Sequence, residues 1–312
     1  MARKAPEKGI EERTSALPGL TAGAQPGDRA PEALRGRLGL NVPEGWWPSA
    51  PRLKAFEAAG FSWTQVHSPP PAVLATPRLC TVHAATVAAS LETTGLRTIV
   101  HGPNSLIAGS KRADWVFEGL LSWAAEIGAE QIVYHARSLP DAPTSESALL
   151  FETRSLARLA VRAERLGITI ALENLAPVFP GLESLSADPM TLRSLVRRID
   201  SEALGLCVDL GHAHIVADTR HTTVEQLVEP VLDLVSVFHV HDNLGARRSG
   251  ERPAEIDPLR LDLHLPPGRG NLPWERVAPL VAAHDAPAVL EVHPPYRPLN
   301  AELHRAASAR LG

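Results

Sequence analysis

The apolar positions of this chain fall into short runs, and each run ends in polar residues. The runs are RLGLNV (37–42), FSWTQVH (61–67), LRTIVHG (96–102), EQIVYHA (130–136), GITIALEN (167–174), LGLCVDLGH (204–212), LVSVFHVHDN (234–243) and APAVLEVH (286–293). Their length and their Val, Ile, Leu and Phe content predict buried strands. Between them lie longer stretches with apolar residues at helical spacing: 51–59, 73–93, 111–127, 145–166, 189–199, 223–232, 273–283 and 299–311. Asp188 before Pro189 reads as a helix cap followed by proline at the first helical position. Strand and helix in alternation predict a parallel sheet with helical crossovers. Eight such units predict an α/β fold of the (β/α)8 TIM barrel type, a single domain over 37–312. An open doubly wound sheet is the alternative, but no GxGxxG follows the first strand and no GxxxxGK[ST] occurs. Residues 1–36, rich in Ala, Pro, Gly and charge without periodicity, are expected to form a disordered tail.

In a barrel the C-terminal ends of the strands share one face. Read in order, those ends supply His67, His101, His135, Glu173, Asp209 with His212, then His239 with His241 and Asp242, and Glu291 with His293. The long connection 243–271 adds Asp262 and His264 where it folds back over that face, and a loop of this length is usually functional. Glu173 and Glu291 end the apolar runs TIAL and AVL, where an unpaired carboxylate is costly. Together with Asp209 they would repel, and no lysine ends any of these strands. A divalent cation is the economical solution. Mixed imidazole and carboxylate ligands suit Zn, Mn, Fe or Co better than an all-oxygen cage. DLGH (209–212) offers an Asp and a His around what reads as a tight glycine turn. His67, His214, His241 and His293 read as groups that orient ligands.

A formal charge of -4 and a pI near 6.4 argue against a nucleic-acid partner, and 4% aromatics leave few stacking platforms. No apolar run approaches the roughly 18 residues of a membrane span. The basic N-terminus lacks an apolar segment, so no signal peptide is expected. Two cysteines make no disulfide framework, which suits a cytoplasmic setting, and Cys207 reads as a small core residue.

ALEN (171–174), CVDLGHAH (207–214), FHVHDN (238–243), DLHLPPGRG (262–270) and LEVHP (290–294) occur in this order. With them the chain resembles, from residue 37 onward, the xylose isomerase-like barrel superfamily. That superfamily holds sugar and sugar-phosphate isomerases and epimerases together with endonuclease IV. The isomerase branch implies one ion held by Glu173, Asp209, His239 and Glu291, with His212 touching substrate. It implies Glu173 and Glu291 moving a proton through an enediolate. The endonuclease branch implies further ligands at His101, His135, His212, Asp262 and His264, hence two or three ions. The cofactor implied is Mn, Zn, Co or Mg. The endonuclease's ENTAG, DTCH and GAHVS appear here as ENLAP, DLGH and GLNVPEGWW. The expectation is therefore a metal-dependent isomerase or epimerase of a small sugar, sugar phosphate or polyol. The alternative is a multi-zinc phosphodiesterase of the abasic-site endonuclease kind. Arg247, Arg248 or Arg269 of the long loop would clasp a phosphate. Trp46 and Trp47 would wall a sugar ring. Homodimers are compatible with such relatives.

Overall fold

A computed structural model of the protein describes residues 34–136, 145–177, 184–246, 256 and 260–312. Each of the eight apolar runs forms a strand: β1 (Leu38–Asn41), β2 (Trp63–His67), β3 (Arg97–His101), β4 (Ala129–Tyr134), β5 (Thr169–Glu173), β6 (Leu204–Asp209), β7 (Val235–Val240) and β8 (Ala288–Leu290). They pair in parallel in chain order, and β8 closes on β1 with Gly39 opposite Val289. The sheet is a closed barrel, so the open doubly wound alternative falls away.

The helices are α1 (Ala50–Ala58), α2 (Pro71–Leu74), α3 (Pro77–Leu91), α4 (Lys111–Glu126), α5 (Ser145–Leu166), α6 (Pro189–Ile199), α7 (Leu210–Arg220), α8 (Val224–Val228), α9 (Trp274–Ala282) and α10 (Asn300–Leu311). Three departures from the sequence reading have local causes. The stretch 73–93 splits because Thr76, which precedes Pro77, is extended (φ -115, ψ 99), as pre-proline residues prefer. The stretch 223–232 starts with a Thr223–Gln226 capping box but leaves α-helix geometry at Glu229, beside Pro230. Helix α7 is an element the apolar pattern does not mark, because no gap separates it from β6. Asp209 ends the strand and caps the helix, accepting a hydrogen bond from His212 N at 2.7 Å. Gly211 therefore lies inside a helical turn, and DLGH is not a glycine turn.

The packed domain already includes Leu34, which is 1% exposed and accepts a hydrogen bond from Arg37 N. The remainder of the expected tail, 1–33, lies outside the described residues. Among the described residues no helix is long and apolar enough to cross a membrane.

Strand side chains alternate between the two faces. Outward, Leu40, Val66, Val100, Ile132, Leu172, Val208, Phe238 and Leu290 pack under the helices. Inward, Trp63, Ile99, Val133, Ala171, Cys207, Val237 and Val289 form an apolar plug. Gly39 leaves the room this plug needs, since a Cβ there would stand 3.0 Å from that of Trp63. The next inward residue on each of these seven strands, two positions along, is Gln65, His101, His135, Glu173, Asp209, His239 or Glu291. The strand period thus places one polar layer directly on an apolar floor.

Candidate metal centre

Glu173, Asp209, His239 and Glu291 offer ligand atoms that all lie within 4.8 Å of one another. His239 Nδ1 is the centre of this set, 3.2 Å from Glu173 Oε1, 3.4 Å from Glu291 Oε2 and 3.8 Å from Asp209 Oδ2. His101 and His135 form a second set with Glu173, their Nε2 atoms 3.5 and 2.9 Å from Oε2. A third set joins His212, His241, Asp262 and His264. There Asp262 Oδ2 lies 3.4 Å from His212 Nε2 and 2.9 Å from His264 Nε2.

The imidazoles are held in defined tautomers. His101 Nδ1 donates to Gly102 O, His212 Nδ1 to Asn174 O and His264 Nδ1 to Glu291 O, at 2.8–2.9 Å. A carbonyl only accepts, so Nδ1 keeps its proton and Nε2, turned to the carboxylates, is the nitrogen that a neutral ring would offer to an ion. His239 is reversed. Its Nε2 donates to Gln65 Oε1 at 2.8 Å, while Gln65 Nε2 donates to Glu291 Oε1 at 2.5 Å. The amide orientation follows from Glu291, which can only accept, and it leaves His239 Nδ1 free for the centre of the set. Such partners are what fix metal-ligating histidines. Asn174 bridges β5 and β6 beside these ligands, donating to Asp209 O and accepting from Asp209 N.

The side chains present fit a divalent ion. Glu173, Asp209, Asp262 and Glu291 crowd into one buried region, and the ion pairs found for them there are all with histidines. Burial pushes Glu173 up, but His239, His135 and His101 outweigh it and hold it well below the usual carboxylate range. Burial pulls His264 down, yet Asp262 outweighs that and lifts it to about 9. Without an ion, the carboxylates draw protons onto their imidazoles; a divalent ion does the same neutralisation without them. Two buried oxygens, Glu173 Oε2 and Asp262 Oδ1, accept no hydrogen bond of good geometry. The Nε2 atoms of His101 and His135 are the nitrogens nearest to Glu173 Oε2, at 3.5 and 2.9 Å.

Asp262 and His264 reach the mouth because their loop is fastened there. Asp242 and Leu265 form a backbone bridge, and His293 N donates to His264 O. The Asp242 carboxylate is fully buried and receives Asn243 N, Gly268 N, Leu272 N and Trp274 Nε1 at 2.8–3.0 Å. Asp242 is therefore a loop clamp. Gly270 is required by the same packing, since a Cβ there would lie 2.3 Å from Asp242 Oδ1.

The sequence-derived residues divide clearly. Glu173, Asp209, His239, Glu291, His101, His135, His212, Asp262 and His264 all converge. His67 is the register partner of His101 on the neighbouring strand, ring centroids 5.0 Å apart, and belongs to none of the ligand sets. Burial, helped by His101, lowers its pKa to about 3. Trp46 is 48% exposed, with the Arg52 guanidinium 4.7 Å over its ring. Trp46 and Arg269 belong to none of the ligand sets, and Arg247 and Arg248 lie outside the described residues. Sequence reasoning missed Gln65, Asn174 and the clamp role of Asp242. A glutamine inside the apolar run FSWTQVH was the one available signal for Gln65.

Fold and site define a (β/α)8 barrel with a buried imidazole–carboxylate cluster at its C-terminal mouth. Residues 53–311 match the xylose isomerase-like TIM barrel family, and the chain belongs to it. An uncharacterized protein of Methanocaldococcus jannaschii, MJ1311, is 30% identical over 151 residues, 48% of this chain and 45% of that protein. The match therefore spans less than half of that relative's length. A D-tagatose 3-epimerase-like protein has a similar fold, with a TM-score of 0.64 and 20% identity, covering 88% of this chain and 97% of that one. The IolI protein with a bound zinc atom gives a TM-score of 0.62 and 15% identity over 88% and 96% of the two chains.

Proposed function

We propose that the protein is a divalent-metal-dependent isomerase or epimerase of a small sugar, sugar phosphate or polyol. The observation that carries this reading is the placing of two carboxylates, Glu173 and Glu291, on either side of His239 Nδ1 at 3.2 and 3.4 Å, with Asp209 between their strands. Glu173, Asp209, His239 and Glu291 would hold the ion. Bound there, it supplies Lewis-acid stabilisation of negative charge developing on adjacent substrate oxygens. Glu173 and Glu291 would carry a proton off and onto carbon. Gln65 occupies Glu291 Oε1 and so keeps Oε2 aimed inward. The apolar plug beneath the ligands excludes water from below. The similarity to a D-tagatose 3-epimerase-like protein and to zinc-bound IolI supports the same reading.

The test is turnover of ketoses, aldoses and their phosphates by metal-free protein reloaded with Mn, Co or Zn, with solvent deuterium incorporation at carbon. Metal-dependent turnover is expected, falling about 10²–10⁴-fold in Glu291→Gln. No metal-dependent turnover, with Glu173→Gln indistinguishable from the parent, would end this reading.

One observation favours a second reading. Glu173 Oε2 is shared with His101 and His135, and Asp262 belongs to a separate set, so ligands for two or three zinc ions are present. Several ions supply the charge that phosphoester hydrolysis requires. Two or three zinc ions per chain together with nicking of abasic DNA would select hydrolysis over isomerisation.

A further inference from the structure

Arg297, in the β8–α10 connection, reaches β1 at the barrel mouth and has no part in the ligand sets. Its Nη1 donates to Asn41 O at 2.9 Å and to Asn41 Oδ1 at 3.3 Å. Asn41 ends β1 and lies two positions beyond Gly39, so it is the member of the inward polar layer that β1 supplies. It pairs in register with Gln65, and Leu40 before it pairs with Leu290, the residue before Glu291. One strand spacing, about 4.8 Å, thus separates Asn41 from the strand of Gln65 on one side and from the strand that leads to Glu291 on the other. Among the described residues the hydrogen bonds of Arg297 all leave from Nη1, and Nη2 is buried with no partner. The Nε–Nη2 edge, a side of the guanidinium that can grip two oxygens at once, is left open.

The charge of this guanidinium is unanswered. Burial lowers its pKa to about 10, and the charge felt beside it is a second cation, Arg52. Arg52, on α1, donates to Trp47 O and lies 4.7 Å over the Trp46 ring. The Arg297 guanidinium itself lies 5.2 Å over the Phe56 ring. Among the described residues no carboxylate offsets either arginine. Two cations drawn together and partly stripped of water are costly unless an anion joins them. We propose that Arg297 and Arg52 form a subsite on the β1 side of the mouth for an anionic group of the substrate, a phosphate or a carboxylate. This rests on the isomerase or epimerase reading and narrows it to sugar phosphates and sugar acids. Arg297 takes two anion oxygens through Nε and Nη2, Arg52 adds the second positive charge, and Asn41 holds the fork in place. An anion fixed there sets which carbon of the substrate meets Glu173 and Glu291.

Turnover of neutral ketoses, their phosphates and the matching sugar acids by the metal-loaded full chain tests the assignment, with Arg297→Met and Arg297→Lys beside the parent. The parent should prefer one anionic class, and which class it prefers separates phosphate from carboxylate. Arg297→Met should lower that preference about 10–100-fold, through KM more than kcat, and Arg297→Lys should regain part of it. A purely structural Arg297 would lower the unfolding midpoint and leave the preference where it was, which overturns the proposal, as does a parent with no preference. Calorimetric titration of the same proteins with inorganic phosphate and with gluconate needs no turnover. The ion is common to parent and variant, so the difference in affinity reads the arginine, and one of the two anions should bind about 10–100-fold more weakly to Arg297→Met. Equal affinities, or no binding of either anion to the parent, overturn the proposal. Should Arg297→Met fail to fold, Arg52→Met carries the same comparison, and affinities equal to the parent's again overturn it. Anion binding governed by these arginines in a chain that turns over no sugar sinks the isomerase reading and leaves the subsite standing.

Discussion

Replacing Asp242 with asparagine should unfold the mouth of the barrel without touching a ligand. The carboxylate takes Asn243 N and Leu272 N on Oδ1, and Gly268 N and Trp274 Nε1 on Oδ2. An asparagine keeps one acceptor for one of these pairs and points an NH2 group at the other. Two charge-assisted bonds are lost and two buried donors are left facing a donor. Hydrogen bonds to charged groups contribute about 1.5–3 kcal/mol each. Two of them give about 3–6 kcal/mol, and partial relaxation of the loop brings the expected loss to about 3–5 kcal/mol. Urea denaturation of the parent and Asp242→Asn measures it directly. Because the clamp anchors the loop that carries Asp262 and His264, zinc content should fall together with stability. Were Asp242 a ligand or a proton carrier, the same substitution would remove activity and leave the unfolding midpoint nearly in place. A stability loss under about 1 kcal/mol with unchanged metal content refutes the clamp.

Two further outcomes follow from the site. Gln65→Leu removes the acceptor that fixes His239 and the donor that holds Glu291, and should weaken ion binding about 10–100-fold; competition with a metal chelator measures this, and an unchanged affinity would mean that His239 needs no such support. In the ion-free protein, Asp262 outweighs burial and lifts His264 to about 9 from 6.5. A raised histidine pKa contributes stability fully below about pH 6.5, and that contribution is lost as pH climbs through about 9. Ion binding requires the neutral ring, so zinc affinity should rise over the same interval in which ion-free stability falls. Thermal unfolding across this interval, with and without zinc, checks the sign, and parallel slopes would contradict it.

How much of the site the sequence displays depends on which physical signal carries each residue. Glu173 and Glu291 are visible because a carboxylate at the end of an apolar strand is costly, and that cost is a property of the residue and its neighbours in the chain. Gln65 is not visible in this way. A barrel strand is buried on both faces, so apolar content does not say which residues point inward. His67 shares the inward face with Gln65 and is the more conspicuous residue, but it belongs to none of the ligand sets. The phase can be recovered only across strands: the ligands lie two residues beyond Ile99, Val133, Ala171, Cys207, Val237 and Val289, and the same step from Trp63 reaches Gln65. Asp242 is hidden for another reason, since three of its four donors lie in the 268–274 stretch, on the far side of a long loop. The helix breaks at Pro77 and beside Pro230 were legible from local rules, and longer apolar periodicity masked them. Ligand convergence itself ties these cases together. Glu173 belongs to two of the three histidine–carboxylate ligand sets, so its charge is felt at both, and an ion bound in one set changes the electrostatic demand on the other. A single strand end could not reveal that dependence. It arises from the register of eight strands closing on one another, which is why the mouth must be read as one coupled layer of charge.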